Sequence, residues 1–278
     1  MPAVTVSMLN QKGGVGKTST TFHLAGTLAK DGRRVLLLDA DPQASLTQGF
    51  FGPDAMRALE RRESIASLFG DGVIPPPSKL IRETAFANVS IVPGSGHLTD
   101  HNTPNPHLAP REHQRSLAVF VAEVREKFDV ILIDVPPNLH LCSWAALVAS
   151  DLLVVPLQAE DFGSQGIASV LDSVELVQAK ANPRLRLAGF LMTMFNPRLS
   201  IHRAYETMLR QLYGDLVFRT SVPIGTDFKE SIALRKPIVA HNPRGASAKA
   251  IRALADELAE RGLCTVQSGE GDDSRRVA

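Results

Sequence analysis

Short apolar runs alternate with helical patterns along most of this chain, and that alternation restricts the fold more than any other feature. Strands that are apolar on both faces are typical of a parallel sheet with helices packed on both sides. The pattern therefore predicts a single-domain, doubly wound α/β fold with a mostly parallel sheet flanked by helices. The predicted strands are Val4–Leu9, Val35–Leu38, Val89–Val92, Val130–Ile133, Leu152–Val155 and Leu187–Met192, and the predicted helices include Ser19–Lys30, Arg111–Lys127 and Gly166–Ala181.

The first run leads into LNQKGGVGKTST, a glycine-rich segment between a predicted strand and a predicted helix. Glycines let backbone N–H groups wrap an anion, and the helix N-terminus adds partial positive charge. Lys17 is expected to reach the β- and γ-phosphates of a nucleotide, with the Thr18 hydroxyl on Mg²⁺, as in a fold of the P-loop NTPase type. The segment departs from the G-x-x-x-x-G-K-[ST] pattern, because Gln11 replaces the first glycine and Lys12 follows it.

Carboxylates end two of the predicted strands and are expected beside the same phosphate site. Asp134 closes the run VILID, the place of a Walker B carboxylate that binds Mg²⁺ through water. Asp41, in LLLDADPQ, is the best candidate to orient an attacking water, with an N-cap or turn role before Pro42 as the alternative. Asp39 is favoured as a buried structural partner of the loop. The predicted metal-binding residues are Thr18, Asp41 and Asp134.

The net charge of +1 hides an uneven distribution of charge. Residues 180–263 hold 14 Lys and Arg against 7 Asp and Glu, so the remainder of the chain is acidic. A basic C-terminal third favours a polyanionic partner. A solvated surface with uneven charge is the alternative.

Composition also restricts where this protein is expected to work. No hydrophobic run approaches twenty residues and no signal-peptide pattern follows Met1, so we expect a soluble, cytoplasmic protein without a membrane partner. Cys142 and Cys264 are far apart in sequence and argue against a disulfide framework.

The segments QKGGVGKT, DADPQ and DVPP occur in this order, followed by LMTMFNPR and VPIGTDFKESIALRKPI. Together they resemble the ParA/Soj group of deviant Walker A ATPases, which are relatives of MinD and of the nitrogenase iron protein. The resemblance extends over residues 3–262 and implies a P-loop ATPase domain at residues 1–263. Residues 264–278 are polar and are expected to form a disordered tail.

The resemblance implies a role for the additional lysine. In this family it crosses a dimer interface, so Lys12 is expected to touch phosphates bound by the other subunit while ATP joins the two subunits. Such an ammonium would stabilise charge on the transferring phosphoryl group. The predicted catalytic residues are thus Lys12, Lys17 and Asp41, and the implied cofactors are ATP and Mg²⁺. The implied nucleotide-binding residues are Lys12, Gly13, Gly14, Val15, Gly16, Lys17, Thr18 and Ser19, with an adenine pocket of Met194, Asn196, Pro223 and Ile224 that includes a turn at residues 222–224.

The resemblance also implies non-specific DNA binding by the ATP dimer, in a nucleoid-associated protein that segregates plasmids or chromosomes or positions other cargo. A ParB-like or cargo adaptor protein would stimulate hydrolysis. Arg198 matches a family arginine that contacts DNA, whereas Asp227 replaces another such arginine. The candidate DNA contacts are Arg198, Arg203, Lys229, Arg235, Lys236 and Lys249.

A MinD-like ATPase acting on a membrane or protein surface is the main alternative. Membrane attachment needs a C-terminal amphipathic helix with bulky apolar anchors, which CTVQSGEGDDSRRVA does not supply. An iron–sulfur reductase needs two suitably placed cysteines per subunit, and Cys142 is alone in the nucleotide half. A metabolic ligase of the same fold would lack the signature lysine.

Three weaker patterns have local interpretations. Four histidines fall between His97 and His113 among three prolines, where an irregular surface loop is favoured over a metal site. Trp144 is expected in the core or in a dimer interface. Arg203 and Arg210 are seven residues apart and are expected to share the polar face of a helix, whereas Ala204, Met208 and Leu212 are expected to form its apolar face.

Overall fold

An eight-stranded sheet forms the centre of this protein. The computed structural model describes residues 2–70, 74–159 and 164–263. The strands are β1 (Val4–Met8), β2 (Val35–Asp39), β3 (Arg82–Glu83), β4 (Val89–Val92), β5 (Val130–Asp134), β6 (Leu152–Gln158), β7 (Arg186–Phe195) and β8 (Val217–Pro223). They lie in the order β3-β4-β2-β5-β1-β6-β7-β8, and all neighbours are parallel except β3 and β4. The predicted mostly parallel sheet is confirmed.

Helices cover both faces of the sheet. They are α1 (Lys17–Lys30), α2 (Ser45–Phe51), α3 (Pro53–Arg57), α4 (Pro77–Leu80), α5 (Arg111–Val124), α6 (Leu141–Ala149), α7 (Ser164–Lys180), α8 (Ser200–Tyr213), α9 (Thr226–Ala233), α10 (Ile238–His241) and α11 (Ala246–Leu258). Helices α5 to α8 form a first layer on one face, and α1, α2 and α9 to α11 form a second layer on the other. Side chains from both faces of the central strands are therefore buried, which explains their continuous aliphatic runs.

The six predicted strands are all present, and their ends move by at most three residues. The sequence patterns miss β3 and β8. The turn predicted at residues 222–224 is wrong in part, because Val222 and Pro223 end β8. β8 lies at an edge of the sheet, and its sequence VFRTSVP carries polar residues in the middle. It therefore lacks the apolar run that marks strands buried on both faces.

The apolar face predicted from Ala204, Met208 and Leu212 is not the buried face of helix α8. Helix α8 buries His202, Tyr205 and Leu209, whereas Met208 and Leu212 are 38% and 63% exposed. The buried His202 ring packs against Phe195, with ring centroids 5.6 Å apart. Aromatic packing against the end of β7 thus decides which side of the helix turns inward.

The histidine-containing stretch between β4 and α5 is irregular but well connected. It contains two 3₁₀ turns, Gly96–Leu98 and Pro106–Leu108. Between these turns, the Thr103 carbonyl accepts a hydrogen bond from Leu141 N at 3.0 Å. This stretch is therefore tied to the chain that follows β5.

Other expectations concern the core, the tail and membranes. Trp144 lies in the core on α6 and is 4% exposed. The predicted polar tail at residues 264–278, which includes Cys264, lies outside the described residues. Within residues 2–70, 74–159 and 164–263, no helix is long and apolar enough to span a membrane.

A buried glutamate joins the edge strand to the last helix. Phe190 pairs with Val217 and Met192 with Ser221, so β8 has two residues more than β7 between these pairs. In this bulge, Arg219 N and Thr220 N each donate a 2.9 Å hydrogen bond to the Glu257 carboxylate. Arg261 Nη2 adds a third hydrogen bond at 2.8 Å, and the Glu257 side chain is only 4% exposed. The carboxylate therefore satisfies backbone groups that the sheet leaves unpaired.

We predict that Glu257→Ala lowers the free energy of unfolding by about 3 kcal/mol, because two backbone N–H groups and a guanidinium lose a charged acceptor. Urea denaturation measures the change. Glu260→Ala is the control, since Glu260 is 62% exposed and pairs with the exposed Arg219, and its effect should stay within about 0.5 kcal/mol. Equal losses in both variants would contradict the structural role of Glu257.

The same contact predicts a dependence on pH. Burial raises the pKa of the Glu257 carboxyl, but hydrogen bonds from Arg219, Thr220 and Arg261 outweigh burial, so the pKa lies below its usual 4.5. A carboxyl whose pKa is lower in the folded state adds stability above its unfolded pKa and loses it as pH falls. The advantage of the natural protein over Glu257→Gln should therefore shrink as pH is lowered below 4.5.

Candidate nucleotide-binding site

The glycine-rich loop connects β1 to α1 at the carboxyl edge of the sheet. Gly14 and Gly16 have φ values of 79° and 82°, which favour glycine over residues with a Cβ. Gly16 is the N-cap of α1, and no acidic residue lies in the first helical turn. Thr18 and Ser19 belong to this turn. The unpaired N–H groups of the helix start and its positive dipole end thus suit an anion such as a phosphate.

Three polar side chains hold this loop: Asn10 within the segment itself, and Gln158 and Thr193 from β6 and β7. Asn10 Nδ2 donates to Pro156 O at 2.7 Å, and Asn10 Oδ1 accepts from Lys12 N at 2.9 Å. Thr193 Oγ1 donates to the carbonyl of the buried Val15 at 2.8 Å, and Gln158 Nε2 donates to Gly14 O at 3.2 Å. Sequence reasoning missed Asn10, Gln158 and Thr193, because their role depends on contacts with distant parts of the chain.

The two lysines of the loop have different environments. Lys17 is 6% exposed, and its Nζ donates to Asn10 O and Lys12 O, both at 3.0 Å. Burial lowers the Lys17 pKa, and the charges of Asp134 and Asp41 act against that shift. Lys12, by contrast, lies on the exposed side of the loop. Gly13 and Gly14 are exposed beside it.

Asp134 and Thr18 are in direct contact. Thr18 Oγ1 donates to Asp134 Oδ2 at 2.7 Å. Asp134 Oδ1 is buried and has no hydrogen-bond partner among the described residues. Burial, reinforced by the charge of Asp39, raises the Asp134 pKa well above its usual 3.8. A buried carboxylate with one unpaired oxygen is suited to a cation or to water bound by a cation.

Asp39 and Asp41 have separate surroundings. Asp39 is fully buried, and its Oδ2 accepts from Thr47 N at 2.8 Å and from Thr47 Oγ1 at 2.6 Å. Burial raises the Asp39 pKa to about 7. Asp41 is 9% exposed, accepts from Gln43 N at 2.9 Å, and has a pKa raised mainly by burial. Asp39 is buried as predicted, but its short side-chain hydrogen bonds are with Thr47 of α2 rather than with the glycine-rich loop. The Asp41 carboxylate combines a turn contact with proximity to Lys17.

The number of carboxylates near the loop suits a Mg²⁺ ion whose remaining ligands are phosphate oxygens and water. Magnesium in nucleotide sites is usually held by one or two carboxylates, with phosphate oxygens and water as the remaining ligands. Among the described residues, no three or more His, Cys, Asp and Glu side chains form a metal cluster. Thr18 and Asp134 would thus hold Mg²⁺ together with a phosphate, and the histidine-containing stretch offers no such cluster in its described part.

The predicted adenine pocket combines the ends of two neighbouring strands. Phe195 pairs with Pro223, so Met194 and Asn196 lie beside Pro223 and Ile224 at the carboxyl edge. Gln158 Nε2 contacts Met194 Sδ as well as the loop. Met194 and Ile224 are 38% and 63% exposed. The structure thus brings these residues to the same edge of the sheet as the loop and leaves Met194 and Ile224 accessible to solvent.

The six candidate DNA contacts are all exposed, but they divide between the two layers. Arg198 and Arg203 lie just before and within α8, in the first layer. Lys229, Arg235, Lys236 and Lys249 lie within or just after the second-layer helices α9 and α11. Asp227, in the first turn of α9, accepts a hydrogen bond from Ser247 Oγ at 2.7 Å.

The buried cysteine argues against an iron–sulfur site. Cys142 is fully buried on α6, and burial raises the pKa of its thiol to about 12. Cluster ligation requires a thiolate that reaches the cluster. Cys142 therefore acts as a small apolar core residue.

The parallel sheet, the glycine-rich loop with its buried lysine and the adjoining Thr18–Asp134 pair define a P-loop nucleotide-binding protein. A family model described as an AAA domain matches residues 3–187. The chromosome-partitioning ATPase Soj of Thermus thermophilus is 36% identical over 256 residues, which cover 92% of this chain and 95% of that protein. The chromosome-partitioning protein ParA of Caulobacter vibrioides is 30% identical over 261 residues, which cover 94% and 95%. The chain belongs to the ParA/Soj family of P-loop ATPases.

Solved structures agree with this assignment of fold. A cobyrinic acid a,c-diamide synthase from Mycobacterium smegmatis, with bound ATP analog and magnesium, has a TM-score of 0.76 and 27% identity, and the match covers 93% of this chain and 95% of that one. Apo McdA from Cyanothece has a TM-score of 0.79 and 21% identity over 92% and 99% of the two chains. The prediction of ATP and Mg²⁺ as cofactors is confirmed at the level of this family.

Proposed function

We propose that this protein is a positioning ATPase whose ATP-bound form is a dimer that binds DNA without sequence preference. A ParB-like or cargo adaptor protein stimulates ATP hydrolysis, which separates the subunits and releases the DNA. The protein then works in the cytoplasm, associated with the nucleoid, and segregates plasmids or chromosomes or positions other cargo. Its place in the ParA/Soj family supports this proposal.

The observation that carries the proposal is the contrast between the two lysines of one loop. Lys17 is held inside by loop carbonyls, in position for the phosphates of its own nucleotide. The main-chain N–H of Lys12 is held by Asn10 Oδ1, and Lys12 itself is exposed to solvent. An exposed lysine with a fixed main chain beside a phosphate site is suited to act on the nucleotide of a second subunit. There it stabilises charge that develops during phosphoryl transfer.

The remaining groups have defined tasks in this proposal. The loop N–H groups from Gly13 to Ser19 bind the phosphates, and Met194, Asn196, Pro223 and Ile224 bind the adenine. Thr18 and Asp134 hold Mg²⁺, which supplies positive charge to the phosphate oxygens when bound. Asp41 positions the attacking water, with its carboxylate fixed by the hydrogen bond from Gln43 N.

We predict that Lys12→Ala retains most ATP binding but loses both hydrolysis and the stable ATP dimer, because the loop backbone, Lys17 and Thr18 remain. Lys17→Ala is the matched comparison and should weaken nucleotide binding itself. Fluorescent nucleotide titration measures binding, and analytical ultracentrifugation with ATP measures dimerisation. Equally poor ATP binding in both variants would show that Lys12 acts within its own subunit.

We predict that Asp41→Ala slows ATP turnover by about 10²-fold or more, the scale for a lost positioning or acid–base group. The ATP affinity should change little, and size-exclusion chromatography with ATP should show a persistent dimer. Asp39→Asn provides a contrast, because Asp39 bonds to Thr47 rather than facing the loop lysine. A monomeric Asp41→Ala protein without ATP binding would assign Asp41 to the turn alone.

Contacts within the second layer support coupling between nucleotide and DNA. The buried His23 of α1 accepts a hydrogen bond from Ile238 N at 3.0 Å, and burial lowers its pKa to about 3, so the ring is neutral. Gly26 of α1 lies against Pro237, since a Cβ at Gly26 would be 2.1 Å from the Pro237 ring. The helix that starts at the phosphate loop thus packs directly on the segment that follows Arg235 and Lys236.

We predict ATP-dependent, sequence-indifferent and salt-sensitive DNA binding. Each phosphate contact contributes a slope of about −0.9 to the logarithmic salt dependence, and pairing two surfaces in a dimer raises avidity by about 10²–10⁴-fold. Arg198→Glu should weaken binding while ATP dimerisation persists. Asp227→Arg should strengthen it relative to Asp215→Arg, an equal charge change near the opposite end of β8. Fluorescence anisotropy with ATP and ADP measures these effects, and equal binding with both nucleotides would overturn the mechanism.

One observation favours the alternative of a MinD-like ATPase on a membrane or protein surface. Ile201, Met208 and Leu212 form an exposed apolar stripe along α8. Sedimentation with anionic vesicles, with and without ATP, distinguishes the two functions. ATP-dependent vesicle binding without DNA binding would favour the alternative.

A further inference from the structure

A cleft of about 250 Å³ lies at the amino edge of the sheet, where α6 leads into β6 and α7 leads into β7. Three arginines line it, namely Arg115 of α5, Arg125 directly after α5, and Arg184 between α7 and β7. Asp151 is the one acidic residue among the described lining residues. The glycine-rich loop lies at the other edge of the sheet, about 20 Å away along the seven residues of β6. We call this site the arginine cleft.

The one carboxylate of the arginine cleft is already paired. Asp151 Oδ2 accepts a hydrogen bond from Thr5 N at 2.9 Å and lies 3.4 Å from Arg125 Nη2. Arg125 Nη2 also donates to Ala3 O at 2.8 Å. Arg125 and Asp151 therefore form an ion pair that is fixed to the start of β1, and their charges offset each other. The charges of Arg115 and Arg184 remain.

Arg115 and Arg184 have no partner of opposite charge. Among the described residues, neither side chain forms an ion pair or a hydrogen bond. Both residues are exposed to solvent and belong to different elements of the fold. Because an arginine side chain is long and rotates freely at the surface, each guanidinium can turn into the cleft from its margin. The arginine cleft thus carries two positive charges that the protein does not compensate.

The main chain of the arginine cleft is held in place. Asn182 is 9% exposed, and its Nδ2 donates to Leu147 O at 3.1 Å and to Ser150 O at 2.7 Å. Its Oδ1 accepts from Arg184 N at 3.2 Å. The backbone of Arg184 is therefore tied to the end of α6, so binding an anion here needs little ordering of the main chain.

Charge and shape restrict the ligand. Guanidinium groups bind phosphate and carboxylate oxygens through parallel pairs of N–H groups. A phosphate monoester carries a charge of roughly −1.5 to −2 at neutral pH, which balances two arginines, whereas a carboxylate carries one charge. A tetrahedral phosphate also presents oxygens in several directions, so two guanidinium groups can bind it at once. The apolar lining residues are all aliphatic: Ala118, Val121, Ala122, Val148, Ala149, Ala181 and Pro183. No aromatic residue is among the described lining residues, so the cleft offers no stacking surface for a nucleic-acid base.

We propose that the arginine cleft binds a small aliphatic phosphate monoester, with Arg115 and Arg184 as the residues that bind its phosphate group. The Arg125–Asp151 pair forms a fixed, nearly neutral part of the wall. This second anion site differs from the nucleotide-binding loop in position and in chemistry, since side-chain guanidinium groups replace backbone N–H groups and a buried lysine. It does not depend on the proposed function.

The first test uses glycerol 3-phosphate as the probe of binding. The methyl groups of Ala118, Ala122, Ala149 and Ala181 line the cleft, so ¹³C-methyl alanine NMR reports this site separately from the glycine-rich loop. We expect saturable shifts of these methyl resonances with a Kd of about 1 mM, while Ala233 of α9 does not shift. Succinate, which has two carboxylates, should bind about tenfold more weakly. No saturation up to roughly 50 mM glycerol 3-phosphate would overturn the site. Equal or tighter binding of succinate would overturn the assignment to phosphate.

The second test removes the two charges one at a time. Arg115→Gln and Arg184→Gln should each weaken binding of glycerol 3-phosphate by about tenfold or more, because each removes a charged pair of donors. Arg111→Gln, one turn earlier on α5, and Arg186→Gln, at the start of β7, are the matched controls. Both arginines are exposed and outside the described lining of the cleft. Through long-range charge alone they should weaken binding by at most about twofold. Equal weakening in all four variants would show a diffuse attraction by surface charge and would overturn the site.

The third measurement separates the arginine cleft from the nucleotide-binding loop. Lys17→Ala removes the buried lysine of the loop, and the four alanine methyl groups should still shift with glycerol 3-phosphate at an unchanged Kd. Conversely, Arg115→Gln and Arg184→Gln should bind ATP with the affinity of the natural protein. Loss of the alanine shifts in Lys17→Ala would place the phosphate in the loop and would overturn the inference.

Discussion

The register of three neighbouring strands is the constraint on which the candidate site depends. Asp134 ends β5 directly beside Met8 of β1 and Asp39 of β2. Because parallel strands end at one edge, this pairing places the loop after β1, the turn after β2 and the segment after β5 around one buried carboxylate. The Thr18 hydroxyl then closes the contact at 2.7 Å. A shift of one residue in the pairing of β1 with β5 would separate the loop from its carboxylate.

Features encoded within a few neighbouring residues were predictable from the sequence. The buried strands have continuous aliphatic runs, and the loop has its glycines and lysines in one segment, so both were found. Asn10, Gln158 and Thr193 were missed because each holds the loop through contacts that only the folded sheet creates. The edge strand β8 and the buried face of α8 were missed for a related reason, since packing against neighbours rather than periodicity decides both.

The excess of positive charge in residues 180–263 was predictable from the sequence, but the positions of these charges on the folded surface were not. Several cationic side chains of the basic third form ion pairs with carboxylates of the same chain. Arg210 pairs with Glu206, and Arg261 pairs with Glu257. The exposed candidates lie in two different layers, with Arg198 in one and Lys249 in the other. A count of charges along the sequence therefore overstates the cationic surface that one subunit can present in a single direction.

The bulge in β8 has a consequence for self-association. An exposed edge strand presents unpaired N–H groups that can template pairing with another chain, a common origin of aggregation. In β8, two of these groups are already bound by the Glu257 carboxylate. The opposite edge of the sheet is β3, which has only two residues. Both borders of this large sheet are thus poor templates for pairing strand to strand with another copy of the chain.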